Sequence, residues 1–318
     1  MTAADGRDRI SLFSRDAAVF IFVGAALVLW PLALTGGHPF MMIDTAVYAD
    51  QGDRIWSGVG QLFSSFDGAD MDTAGAGAGG AVDALRSQAA ADDTIRSITY
   101  AAFVGLLLPA GAIWVLSVQA ALVLAALYAV VAPALRSLSW GAGLAVCALV
   151  LVASPLSTMA SFLMPDILGA VVILFEIRIA MGFHALDRAS RIVLVLITIA
   201  AITSHYGNIP LAVLLFGIAA LMRAGRRRAV LAVGAVAGGT AFVAVALNVA
   251  IGVVGFDTVS LAPNRAPIML ARSIEDGPAR WVLEADCASA EPRYALCAYW
   301  GTDIPTNVGA ALWNERGM

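Results

Sequence analysis

Residues 192–222, IVLVLITIAAITSHYGNIPLAVLLFGIAALM, decide how this chain is organised. The run is too long for one membrane span and short for two. Its centre, Ser204–Pro210 (SHYGNIP), holds His, Asn, Gly and Pro, which disrupt a helix in mid-bilayer. The flanking charges arbitrate. Arg188 and Arg191 precede the run, and Arg223, Arg226, Arg227 and Arg228 follow it. The positive-inside rule wants both ends on the cytoplasmic side, so the chain is expected to cross twice. Each arm is then short, about 20 Å at 1.5 Å per residue, and needs bilayer thinning or burial among other helices.

Composition extends this reading to the whole chain. Of 318 residues, 60% are apolar and 13% charged, and mean hydropathy is +0.84. Soluble domains carry roughly 25% charged residues, so lipid is the expected solvent for most of this chain. A net charge of −4 gives no basis for binding nucleic acid. Arginines fall in short clusters between apolar runs, a pattern that encodes topology. The 3 cysteines are too few for a disulfide scaffold, and no Cys/His cluster has zinc-ligand spacing.

Residues 1–16 are polar and carry Arg7, Arg9 and Arg15, and residues 17–36 form the first expected transmembrane helix. The charged start and apolar centre also fit a signal peptide, but no A-x-A site follows. The expectation is an uncleaved signal anchor with a cytoplasmic N-terminus. Residues 37–98 form an Asp-rich external loop, whose Gly/Ala/Asp-rich centre, Gly68–Asp93, offers too little apolar area to offset the entropy of ordering it. Asp44–Ser57 and Thr94–Phe103, on either side, read as short helices on the membrane surface. Residues 99–255 hold spans two to seven. The second runs from about Val104 to Val131 with a break near Pro109, Leu138–Ala153 returns, Ser154–Asp166 turns, and Ile167–Met181 leads back to the arginines. After the hairpin, Ala229–Val254 goes outward and leaves residues 256–318 as an external region.

The fold class expected is all-α: a multi-pass membrane protein with about seven spans, N-terminus inside, C-terminus outside, in a bacterial inner membrane. Cys287 and Cys297 then lie in an oxidising compartment, and they are expected to pair. The loop closed would contribute about 2–3 kcal/mol. Cys147, inside a span, reads as a small buried apolar residue.

This topology gathers the chemistry-bearing residues on one face. The stretch Phe40–Gly58 (FMMIDTAVYADQGDRIWSG) sets Asp44, Asp50 and Asp53 beside Tyr48 and Trp56 at a helix mouth. Pro165-Asp166, Ser204-His205-Tyr206 and Arg265, Arg272 and Arg280 share that side. Carboxylate, imidazole and guanidinium at a membrane surface suit deprotonation of a hydroxyl beside a lipid phosphate. Each also has a plain reading. Asp44 and Asp166 can be helix caps, Asp50 and Asp53 can face water, His205 can be a hydrogen-bonded loop residue, and Arg272 and Arg280 can be exposed ion pairs. A divalent cation such as Mg or Mn would have Asp44 and Asp166 as oxygen ligands, though no spacing demonstrates a site. No Walker loop, dinucleotide glycine motif, G-x-S-x-G elbow or H-E-x-x-H is present.

MMIDTAVYADQGDRIWSG after the first span, SVQAAL in the second, FLMPDILGAVVIL opening the fourth, and SHYGNIPLAVLL together resemble the GT-C superfamily of polytopic glycosyltransferases. The similarity covers roughly residues 17–255. It implies a seven-span module using polyprenyl-phosphate-linked sugars on the outer face, with Asp44 as catalytic base. It further implies that Asp166, His205, Tyr48 and Tyr206 line the substrate cavity, and that Arg272 and Arg280 hold phosphate. The partners implied are a lipid-linked sugar donor and membrane lipid. The first loop departs from the family in lacking an Asp-Glu pair, and the chain stops after its first outer region, as a fragment or inactive relative would. Ala271–Tyr299 is similar to a stretch of bacterial membrane proteins. Two alternatives stand beside an enzyme: a non-catalytic scaffold, and a lipid or solute transporter. A transporter would need ionisable groups in mid-span, whereas Glu176 and Arg178 are expected near the cytoplasmic end.

Overall fold

The computed structural model describes residues 9–41, 43–67, 97–221, 227–256, 259, 268–289 and 291–313. The Gly/Ala/Asp-rich insert, Gly68–Asp93, lies outside them, as does Arg265. Among the described residues the only β-type pairings are two isolated bridges, Ile10 with Leu186 and Phe40 with Phe162. The chain divides into two units, residues 1–90 with 96–263, and residues 91–95 with 264–318, and each is described by itself.

In the first unit, α1 (Arg15–Val28) starts at Ser14, whose hydroxyl accepts from the Ala17 N–H. A 3-10 turn, Trp30–Thr35, follows, then α2 (Ile43–Asp67). α3 (Ile98–Leu107) ends at Leu108–Ala110, and α4 (Ala112–Leu135) follows. Next come α5 (Trp140–Ala153), α6 (Pro155–Ala160), a 3-10 turn at Pro165–Leu168, and α7 (Gly169–Gly182). α8 (Arg188–Ser204) and α9 (Asn208–Leu221) precede α10 (Arg227–Val233), which runs through a π turn at Gly234–Gly238 into α11 (Gly239–Phe256). Among the described residues four segments are long and apolar enough to cross a membrane: Arg15–Thr35, Ala112–Leu135, Pro165–Ala185 and Val230–Val253. Exposed Phe22, Leu149, Leu196, Leu214 and Phe242 suit a lipid surround.

The expected break in 192–222 is present. α8 ends at Ser204, and the Asn208 side-chain amide reaches back to the Ala201 carbonyl at 2.8 Å. α9 begins against α7, with the Asn208 Oδ1 only 3.1 Å from where a Cβ on Gly169 would sit. The break expected near Pro109 is present, but the two halves of Val104–Val131 do not continue as one span: the Tyr100 hydroxyl bonds Gln119 at 2.9 Å, whereas a straight helix over that nineteen-residue separation would hold them about 28 Å apart. The chain folds back at Gly111, whose φ of 116° is open to glycine. α2 lies on α3 with Gly52 over Ala101 and Gly105, and a Cβ on Gly52 would meet the Gly105 nitrogen at 2.8 Å. Only small residues permit such an approach. α2 is therefore longer than the expected surface helix and is packed on a partner.

At the other end of these helices the N-terminal segment is clamped to the α7–α8 turn. The Ile10 N–H donates to the Ala185 carbonyl at 2.9 Å, the Asp187 N–H to the Ile10 carbonyl at 3.0 Å, and the Leu12 N–H to the Ser190 hydroxyl at 2.8 Å. Asp187 caps α8, accepting from the Ser190 N–H at 2.7 Å.

The second unit holds α12 (Ile268–Glu275), α13 (Pro278–Cys287), α14 (Leu296–Trp300) and α15 (Val308–Trp313) around Ile274, Leu283, Trp300 and Ile304. The helix breaks at Gly277-Pro278 as expected. Cys287 and Cys297 are joined by a disulfide. The buried Asp286 carboxylate accepts from the Arg293 and Tyr294 N–H groups at 2.8 and 3.1 Å, which fixes the loop the disulfide closes. Cys147 is a free thiol, half-buried rather than enclosed.

Burial alone would raise the Asp187 carboxyl, but hydrogen bonds from Ser11 and Ser190 and the Arg191 charge outweigh it and hold it below the usual carboxylate range. A carboxyl depressed in the fold stabilises above its unfolded value, near pH 4, and loses that contribution as pH falls through the folded value. The melting temperature of the wild type should therefore fall as pH drops below about 5. Asp187→Asn, which keeps a cap acceptor without the charge, should fall less. Equal slopes in the two pH series would contradict this account.

Candidate functional site

One chain of hydrogen bonds links the helices at the end opposite Arg188. The Ser97 hydroxyl, which caps α3, donates to the Thr203 carbonyl at 2.7 Å. Tyr100, on the next turn, donates to Gln119 Oε1 at 2.9 Å, and Gln119 Nε2 donates to the Phe162 carbonyl at 2.9 Å. Tyr100 and Gln119 are both 0% exposed, so each bond is made without competition from water. Phe162 is also paired with Phe40: the Phe40 N–H donates to the Ser161 carbonyl at 2.9 Å, and the rings are 5.2 Å apart. The Thr45 hydroxyl donates to the Leu163 carbonyl at 3.2 Å. Residues 161–163 are thus held by Phe40, by Thr45 of α2 and by Gln119 of α4 immediately before Pro165-Asp166.

Asp166 and His205 meet here. The His205 Nε2 is 3.7 Å from the Asp166 Oδ1, with the side chains 36% and 52% exposed. That separation is longer than a hydrogen bond but close for an ion pair. The His205 Nδ1 accepts the Gly207 N–H at 3.1 Å, which assigns the proton of the neutral ring to Nε2, on the Asp166 side. Gly207 lies so close under the ring that a Cβ there would meet His205 Cε1 at 2.8 Å. The result is an oriented N–H donor, half open to solvent, with a carboxylate beside it.

Asp44 is half-buried in the first turn of α2, one residue before Thr45. Tyr48, one turn further, is buried with its ring edge-on to Tyr100 at 4.8 Å. Tyr48 is thus part of the packed core of the first unit. Tyr206 sits in the α8–α9 turn, where its carbonyl accepts the Ile209 N–H at 3.2 Å. Asp50 is exposed and paired with Arg54, and Asp53 is exposed, so both take the water-facing role.

The arginines expected to hold phosphate belong to the second unit, and carboxylates on or just beyond their own helices already engage them. Arg272 bonds Glu275 at 2.8 Å and Asp276 at 3.3 Å, and Arg280 bonds Glu284 at 2.8 Å. These are surface pairs at i+3 and i+4 spacing, worth little in stability. Among the described residues no group of three or more His, Cys, Asp or Glu is placed to hold a metal ion.

Sequence reasoning gave no role of their own to Gln119, Tyr100 and Gly207. Gln119 carried a signal, as an amide deep in the apolar run 112–135, where a buried polar group needs a partner. No family model matches the chain, and neither the curated proteins nor the solved structures include a similar one.

Replacing Gln119 by Leu would leave the Tyr100 hydroxyl and one Phe162 carbonyl unsatisfied in the core. The expected cost is about 1–3 kcal/mol, read as a lower melting temperature, with faster proteolysis of the 161–166 loop. An unchanged melting temperature would contradict the assigned bonds.

Proposed function

We propose that the chain is a GT-C-like membrane glycosyltransferase, moving a sugar from a polyprenyl-phosphate donor to an acceptor hydroxyl on the outer face. The observation that supports the reading best is the 3.7 Å approach of Asp166 and His205, on a loop held against the helix that Asp44 opens. In this reading the protein crosses a bacterial inner membrane seven times, through α1, α4, α5, Pro165–Ala185, α8, α9 and α10–α11, with its N-terminus inside and C-terminus outside. The fourteen-residue α5 and α9 are short for a bilayer and rely on neighbours or local thinning.

Asp44 acts as base. Its carboxylate takes the proton of the acceptor hydroxyl as that oxygen bonds to the anomeric carbon. The bond from the anomeric carbon to the phosphate oxygen breaks with inversion, and polyprenyl phosphate leaves with the electron pair. His205 donates its Nε2–H to a phosphate oxygen and so stabilises the charge that develops there. Asp166 and Gly207 are positioning residues for the imidazole.

A second reading, a lipid or solute transporter, is favoured by one observation. Glu176 and Arg178 lie in mid-segment of Pro165–Ala185, not at its cytoplasmic end, and are only 6% and 2% exposed. The Glu176 Oε2 has no hydrogen-bond partner among the described residues. Buried ionisable groups at that depth are a feature of transport paths.

Incubation with a polyprenyl-phosphate-linked sugar separates the two. Under the enzyme reading Asp44→Asn loses transfer about 100-fold or more while remaining folded, and Glu176→Gln transfers normally. Full transfer by Asp44→Asn would overturn the enzyme reading. Loss of substrate uptake into vesicles by Glu176→Gln alone would favour the transporter.

A further inference from the structure

At the end of the first unit away from Asp166, α8 packs beside the π turn and α11 and leaves a groove along the seam. The groove, of about 690 Å³, is walled by Ile192, Val195, Leu196 and Ile199 of α8, by Val236 in the π turn and by Val243 of α11. It continues through Phe183, Arg191 and Val236 into a second cavity of about 330 Å³ under His184. Gly239, at the end of the π turn, lines the groove, and a Cβ there would meet nothing within 4 Å. Ile192, Leu196 and Val243 are exposed in this groove at 51%, 59% and 48%.

The mouth is cationic. Arg188 and Arg191 stand on the first turn of α8, lining the groove, and His184 is beside them. Arg188 is exposed and makes no ion pair among the described residues. Arg191 is half-buried and donates only its Nε, at 3.4 Å, to the Asp187 carbonyl. Asp187, the cap of α8, is the nearby carboxylate; it accepts from the Ser190 N–H and from the Ser11 and Ser190 hydroxyls, and it also feels the Arg191 charge. Two guanidinium groups therefore retain donors for an anion at the top of an apolar slot open along its length.

We propose that this groove binds an anionic glycerophospholipid, with the phosphate between Arg188 and Arg191 and an acyl chain along Ile192, Leu196 and Val243. Apolar walls under a basic mouth match a molecule with a charged head and a hydrocarbon tail. A zwitterionic lipid would bring its ammonium group toward the two arginines and bind less well. The site is independent of the reading given to Asp166 and His205.

Native mass spectrometry of the full chain, released from nanodiscs of phosphatidylglycerol or phosphatidylcholine, reads the outcome. The wild type should retain phosphatidylglycerol in preference to phosphatidylcholine. Arg188→Gln with Arg191→Gln should reduce that retention roughly tenfold or more. Val243→Trp, which fills the slot and leaves both charges, should also lose it, with the circular dichroism of each variant unchanged. Equal retention of the two lipids by the wild type, or undiminished phosphatidylglycerol on the double variant, would overturn the proposal. So would equal thermal stabilisation by inorganic phosphate alone, which would show that the tail contributes nothing.

Discussion

The first unit depends on a buried amide that satisfies two partners at once. Gln119 accepts from the Tyr100 hydroxyl and donates to the Phe162 carbonyl, so α3, α4 and the loop before Asp166 cannot separate without stranding a polar atom where water does not reach. Hydrogen bonds of this kind contribute modestly when made and cost far more when broken in an apolar core. Around the amide, Tyr48 packs edge-on against Tyr100, and Phe40 stacks beside Phe162. The position of Asp166, and with it the approach to His205, follows from this arrangement rather than from any bond of its own.

The two ends of the helices carry different chemistry for a shared physical reason. Lipid-facing helices place their polar groups at their ends, where backbone and side chains can reach water. One end gathers Asp166, the Ser204–Asn208 turn and the start of α2. The other gathers Arg136, Arg188 and Arg191 with the clamped N-terminal segment, where the Arg136 guanidinium donates to the Arg9 carbonyl at 3.2 Å. The Asp187 cap joins that segment to α8, and the cationic groove opens beside it. Glu176 and Arg178, buried between the ends, are the exception that the enzyme reading does not use.

Much of this was legible in the residues. The polar core of SHYGNIP between arginine clusters foretold a hairpin, Gly277-Pro278 foretold a broken helix, and the position of Cys287 and Cys297 beyond the apolar runs foretold their disulfide. The i+3 and i+4 carboxylates beside Arg272 and Arg280 were also visible, and their bland reading as ion pairs is what the structure has. The fold-back at Gly111 was not legible, because a proline in an apolar run reads equally as a kink, and only the distant Tyr100–Gln119 bond distinguishes the two. The packing of α2 on α3 was hidden for a similar reason: Gly52 and Gly105 have no side chain to show which surface they meet. At the site, Asp166 and His205 were named from their loops, whereas the role of Gly207 depends on a backbone N–H that no residue pattern specifies.

Cysteine accessibility tests the shared-end arrangement most directly. In a Cys147→Ser background that keeps the Cys287–Cys297 disulfide, single cysteines replace Met41, Tyr206 or Ala189, and intact cells are treated with a membrane-impermeant maleimide. Met41→Cys and Tyr206→Cys should both be labelled from outside, and Ala189→Cys only after the membrane is opened. Labelling of Met41→Cys and Tyr206→Cys from opposite sides would contradict the account.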